Sequence, residues 1–293
     1  MFTLWISAQI GIAGAAVLAA GESAARRAAA ALFLSAGAAL PWLTPPRPLP
    51  RVILAFVALI AFIKTTQIAS IPGPWPMWRR LWHLFSPFHV CSTRSIRPGV
   101  SGRLAWNVIL QGGLVILALA VLAELGSLTG VVRTVIRLMC GIILLTGIMT
   151  LLSDLTRFGH HAVGIEVPPN QRAPILAQSV REFWGKRWNR FVSEWLSQFI
   201  FLPMVRRRRP VLGLFGAFCV SALMHSWLAV VALDSRAALT MGMFFVLQGV
   251  FVVAETRLRL NTWPAPAARA WTILAVLSPS PLGIDPFLRV FGL

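Results

Sequence analysis

Apolar residues dominate this chain in long runs, and the breaks between them are short, polar and rich in Pro or Arg. A membrane-crossing helix needs about 20 mostly apolar residues. Runs close to that length fall at 2–20, 28–43, 52–70, 104–125, 134–152, 211–233, 238–254 and 270–284. The pattern predicts an all-α, polytopic transmembrane helical bundle of about eight spans. The second run is short, and the last contains Pro279 and Pro281. The opening run, "MFTLWISAQIGIAGAAVLAA", lacks the basic start of a cleaved signal peptide and reads as a retained span. No internal repeat is visible, and residues 1–293 read as one domain. "PWLTPPRPLPR" (41–51) reads as a Pro-rich external turn. "IPGPWPMWRRLWHLFSPFHVCS" (71–92) reads as interfacial, because Trp rings favour the headgroup level.

Two stretches depart from plain hydrophobicity. The segment 153–210 is too long for a simple connector. Within it, Ser179 followed three residues later by Glu182 is a capping box that predicts a helix start. Trp184, Trp188, Phe191 and Trp195 then recur at helical spacing, which predicts an amphipathic helix in the membrane interface with its ring stripe toward lipid. Lys186 and Arg190 fall opposite that stripe. Asn189 is turned about 140° from Trp184, toward protein. The second stretch is the span 211–233, where Gly213, Ala217, Ser221 and His225 follow at steps of four. Small residues and one imidazole thus share a face. An ionisable group inside a span is expensive unless it meets a cavity or a partner, so His225 is a functional candidate.

Composition changes the picture only in its charge. Hydrophobic residues make up 57% of the chain, charged residues 12%, and mean hydropathy is +0.74, which excludes an ordinary soluble domain. A net charge of +18 raises nucleic acid as a partner, but the basic residues lie between the apolar runs. If alternate loops lie on opposite sides, one side receives Arg26, Arg27, Arg79, Arg80, Arg94, Arg97, Arg103, Arg157, Arg172, Arg181, Lys186, Arg187, Arg190, Arg206–Arg209, Arg257, Arg259 and Arg269. The other receives Arg47, Arg51, Arg236 and Arg289. By the positive-inside rule the first side is cytoplasmic and both termini lie outside. The charge is then a topology signal with membrane lipids as its partner, and no nucleic acid is implied. Only Lys64 and Lys186 are lysines and Tyr is absent, a skew that points to a GC-rich bacterial genome and an inner membrane. Cys91, Cys140 and Cys219 form no metal or disulfide pattern. His160 and His161, near Asp154 and Glu166, match no ligand template, so no metal site is expected. His83 and His89 are expected to be solvated.

"REFWGKRWNR" (181–190) and "VSALMHSW" (220–227) together resemble the wax synthase-like branch of the membrane-bound O-acyltransferases, with its F-W-G-x-R-W-N and L-M-H signatures in the same order. "FFVLQGVFVVAE" (244–255) and "SPLGIDPFLR" near the C-terminus agree. The likeness covers about 180–290. The resemblance implies that acyl-CoA and a lipophilic alcohol meet in a tunnel and form an ester, with His225 as general base and Asn189 as the second catalytic group. Many relatives of that branch carry an acidic residue after the histidine; Ser226 stands here, so a charge partner must come from elsewhere. Asn189 would either donate to the oxyanion or orient the imidazole. Lys186, Arg187 and Arg190 either hold the CoA phosphates or set topology; Trp184, Trp188 and Ser221 complete the substrate-binding set. Acyl-CoA is a co-substrate, and no cofactor is expected. A transporter or lipid scaffold is the competing reading.

Overall fold

A computed structural model of the protein describes residues 1–71, 76–86 and 93–293. His89 and Cys91 lie outside the described residues. The chain divides into two compact units, Met1–Cys91 with Met224–Ala238, and Ser92–Leu223 with Leu239–Leu293.

In the first unit, α1 (Phe2–Ala19), α2 (Ala24–Leu43) and α3 (Pro48–Ser70) pack around Ala13, Val17, Ala20, Ala61 and Ile68, and α4 (Met77–Phe85) adds Leu84. Local chemistry sets the starts. Ser23 caps α2 through the Arg26 N–H, and Pro48 opens α3 where a missing donor costs nothing. The last carbonyls of α1 are satisfied by guanidinium groups, Arg80 reaching Ala20 O and Arg26 reaching Leu18 O at 2.9 Å. The 71–92 stretch is therefore not uniformly interfacial. On α4, Trp78 is exposed, but His83 is fully buried and Arg80 nearly so. The solvated His83 expected from the sequence is replaced by a core residue, because a nine-residue helix turns one of its faces inward.

In the second unit, α5 (Gly102–Glu124) and α6 (Gly130–Ala162) form a hairpin, and α13 (Ser280–Val290) lies against α6. Gly141 permits that approach. A Cβ there would sit 2.5 Å from Ile284 Cγ2 and 3.0 Å from Leu288 Cδ1. Arg137 pairs with Asp285 at 2.8 Å across the same contact. At 33 residues α6 is about 50 Å long, well beyond a hydrocarbon core of about 30 Å. Asp154, Arg157, His160 and His161 ride on its end, so the segment read from the sequence as starting at 153 leaves the helix only after Ala162. A two-residue antiparallel ladder, β1 (Arg94–Ser95) with β2 (Ile165–Glu166), ties the chain before α5 to the exit from α6.

The protein is a polytopic all-α membrane protein, but the count of eight spans is not reached. Among the described residues, six helices are long and apolar enough to cross: α1, α3, α5, α6, α10 (Pro210–Ala232) and α11 (Ser235–Leu258). The pair α12 (Ala265–Leu277) and α13, bent by 48°, makes a seventh if taken as one span. That bend falls at Pro279 and Pro281, where ring constraints interrupt the backbone ladder. The helix α2 forms over 20 residues but is not among the six; it is Ala-rich and begins with Arg26 and Arg27.

Candidate active site

The F-W-G-x-R-W-N stretch does not form the single interfacial helix its spacing predicts. A three-residue helix α7 (Val180–Glu182) passes into a π-helical turn, Phe183–Arg187, and the chain then breaks at Trp188 and Asn189 before α8 (Arg190–Leu196). A second π-helical turn, Ser197–Phe201, leads to α9 (Leu202–Arg206). The break is made by Asn189 in the left-handed region, φ 40° and ψ 60°. Asn tolerates that conformation better than other residues with a Cβ.

The rings do not face lipid either. Phe191 and Trp195 are 9% and 4% exposed, and Trp184 packs edge-on to Phe218 and Phe244 with its Nε1 donating to Gln248 Oε1 at 2.9 Å. Trp188 stacks on Phe183, with centroids 5.7 Å apart. Helical spacing marks one face; it does not say whether protein or lipid covers it.

What covers Trp184 is α11. Gln248 binds Trp184 and also donates to Ala275 O at 3.1 Å. Seven residues further on, the buried Glu255 accepts from Val180 N at 2.6 Å, Arg181 N at 3.2 Å and Trp271 Nε1 at 3.1 Å. Two polar groups on one face of α11 therefore peg the start of the motif. The sequence marked Glu255 only through the resemblance; its partners are 75 and 16 residues away.

The capping box is half realised. Ser179 Oγ accepts from Glu182 N at 2.9 Å, but Glu182 Oε2 reaches past Ser179 to Gln178 N at 2.8 Å. Its other oxygen pairs with Arg187 Nε at 2.7 Å. Burial pushes the Glu182 carboxyl upward, but the Gln178 N–H and the Arg187 and Lys186 charges outweigh it and hold the group below the usual carboxylate range. Arg187 also donates to Arg172 O, and Arg190 pairs with Glu194 at 2.6 Å. Of the three cations set against the CoA phosphates, Lys186 is exposed and, among the described residues, forms no salt bridge, its charge reaching Glu182 only at longer range.

The other half of the site reading lies on α10. Gly213 and Ser221 are buried, and the small-residue face is used. His225 is half-buried and belongs, with Met224–Ala238, to the first unit, whereas Asn189 belongs to the second. Next to it, Ser226 Oγ donates to Ala238 O at 2.8 Å, tying the end of α10 to the start of α11, which Asp234 caps through Ala237 N at 2.7 Å. His160 and His161 bond through Nδ1 to carbonyls, Thr156 O and Gly99 O, each at 2.8 Å.

Both motifs lie inside one recognisable stretch. Residues 167–247 match the membrane bound O-acyl transferase family. The O-acyl transferase resemblance read from the two motifs thus holds, and the match begins upstream of the first motif, taking in "VPPN". Relatives point the same way. The chain is 31% identical over 124 residues to the probable long-chain-alcohol O-fatty-acyltransferase 1 of Arabidopsis thaliana, which covers 40% of this chain and 36% of that protein. It is 36% identical over 101 residues to the long-chain-alcohol O-fatty-acyltransferase of Simmondsia chinensis, 32% of this chain and 29% of that one. To the acyl-CoA--sterol O-acyltransferase 1 of Arabidopsis thaliana it is 28% identical over 102 residues, 32% of this chain and 30% of that one. The matched part thus spans about a third of these relatives' own length.

Proposed function

We propose that the protein is a membrane-embedded O-acyltransferase that moves an acyl group from acyl-CoA to the hydroxyl of a lipophilic acceptor. The observation that carries this reading is one matched segment containing both FWGKRWN and LMH. The acceptor is a long-chain alcohol, giving a wax ester, or a terpenoid, sterol-like or other natural-product alcohol; the relatives' names include both long-chain alcohols and a sterol.

In this reading the whole chain acts as one domain, with His225 and Asn189 as its two catalytic groups. The neutral imidazole takes the hydroxyl proton as the alcohol oxygen attacks the thioester carbonyl. The tetrahedral oxyanion accepts from an amide N–H of Asn189. Collapse breaks the C–S bond, and the imidazolium returns the proton to the CoA thiolate. Acyl exchange of this kind changes no oxidation state, so the residues present suffice chemically without a cofactor. Lys186 is the motif cation best placed to meet CoA phosphates, since Arg187 and Arg190 are already paired. Trp184, Trp188 and Ser221 complete the substrate-binding set.

The side of the membrane that holds residues 163–209 is cytoplasmic in this reading, because that stretch carries the densest basic charge. Counting α2 and the bent α12–α13 pair as spans then places both termini outside. The Arg-rich, Tyr-free composition supports a bacterial inner membrane, although the relatives named above are plant proteins.

Membranes containing the protein, given labelled acyl-CoA and a panel of long-chain and polycyclic alcohols, should form an ester that the His225→Ala variant does not. Asn189→Gly, which keeps the left-handed turn while deleting the amide, should lower kcat by about 10²–10³-fold. Equal ester formation by wild type and His225→Ala sinks the reading. Binding or flux with no release of CoA would instead establish a transporter or scaffold.

A further inference from the structure

Asn189 occupies the residue before α8, where an Asn side chain ordinarily caps the helix by accepting a backbone N–H of the first turn. It does not do so here. The cap comes from another segment. Asn170 Oδ1 accepts from Phe191 N at 2.9 Å, and Asn170 O accepts from Arg190 N at 3.0 Å. Asn170 is itself held from behind, its N–H donating to Ser153 Oγ of α6 at 3.0 Å. The neighbouring Gln171 Oε1 accepts from Asn189 N at 3.1 Å, and Arg172 N donates to Arg187 O at 2.8 Å. Residues 170–172 thus clasp the left-handed turn from outside, doing the backbone work that Asn189 would otherwise do.

The remaining group of Asn170 faces the Asn189 side chain, with Nδ2 donating to Asn189 Oδ1 at 3.4 Å. That bond fixes which end of the Asn189 carboxamide is which. Its oxygen is turned back to the clasp, and among the described residues nothing accepts from its Nδ2. The two non-glycine residues of this region with positive φ, Ala173 and Asn189, lie at the end of the clasp and at the turn it grips. Such conformations persist only where the surroundings over-determine them.

We propose that Asn170 is a positioning residue that relieves Asn189 of its capping role and orients its carboxamide so that the NH₂ group, and not the oxygen, is presented to the thioester oxyanion. The proposal rests on the acyltransferase reading and adds to it the assignment of Asn189 as a hydrogen-bond donor.

Asn170→Asp separates orientation from folding. An aspartate retains an oxygen for Phe191 N–H, so the cap survives, but it offers Asn189 an acceptor in place of a donor. The Asn189 carboxamide must then turn over, placing its oxygen where negative charge develops. Wild type, Asn170→Asp, Asn189→Gly and the double variant are assayed as full-length protein in membranes, with unfolding temperature measured in detergent. The expected result is a kcat for Asn170→Asp lower by about 10²–10³-fold, with KM for acyl-CoA and unfolding temperature unchanged. The double variant should be no slower than Asn189→Gly, because a turned amide has no effect once the amide is gone. Wild-type kcat in Asn170→Asp overturns the proposal, as does a full additional loss in the double variant; the latter comparison holds even if Asn170→Asp lowers stability. A wild type that forms no ester sinks the acyltransferase reading and this assignment together, a result distinct from an active Asn170→Asp.

Discussion

Single residues in the motif carry tasks that spacing alone does not separate. Glu182 is the sharpest case: one carboxyl group receives the Gln178 N–H and the Arg187 guanidinium. Its folded pKa lies below the unfolded carboxylate value of about 4.3, so its stabilisation is present above that value and is lost as pH falls through the folded pKa. Unfolding temperatures of wild type and Glu182→Gln should therefore differ at neutral pH and converge in acid. A constant difference across that range would show that the carboxylate charge has no part. Asn189 makes the complementary point. Its identity was legible in the motif, but the left-handed backbone that sets its direction depends on partners about twenty residues upstream.

Among the elements, packing follows where the chain leaves no room for a side chain. Gly213, at the start of α10, sits where a Cβ would lie 2.8 Å from Met204 Cβ and 3.0 Å from the Phe201 carbonyl oxygen. Neither atom can swing away by a rotamer change. Gly213→Ala should cost about 1–3 kcal/mol, read as a lower unfolding temperature in detergent, whereas Gly112→Ala, with nothing within 4 Å on α5, should not. Glu255 and Gln248 act between elements in the same way, with hydrogen bonds in place of close contact. Deleting Glu255 would leave the Val180 and Arg181 amides without this partner, at about 1–3 kcal/mol for the buried Val180 donor.

For the whole molecule, the basic residues make a prediction that needs no knowledge of the site. With residues 163–209 on the cytoplasmic side, a cysteine placed at Arg208 in a variant lacking Cys91, Cys140 and Cys219 should resist a membrane-impermeant thiol reagent in intact cells. It should react once the cells are opened. A cysteine at Arg236, in the first turn of α11, should react in intact cells. The reverse pattern would overturn the proposed sidedness.

Hydrophobic run length determined that the chain is an all-α membrane protein, because a bilayer admits few other solutions for an apolar segment of this length. Two short motifs in order marked the stretch, residues 167–247, that matches the membrane bound O-acyl transferase family. Sequence spacing went astray where it had to name a neighbour. The ring stripe of 184–195 was set toward lipid, yet α11 and α12 pack on Trp184 and the Phe191 and Trp195 rings are buried; His83 was set in solvent, yet the core of the first unit takes it in. Periodicity records which residues share a face, and a face that is apolar meets lipid and protein on nearly equal terms. Only tertiary structure chose between them, through polar partners such as Gln248, Glu255 and Asn170 that lie far along the chain and satisfy groups lipid would leave bare.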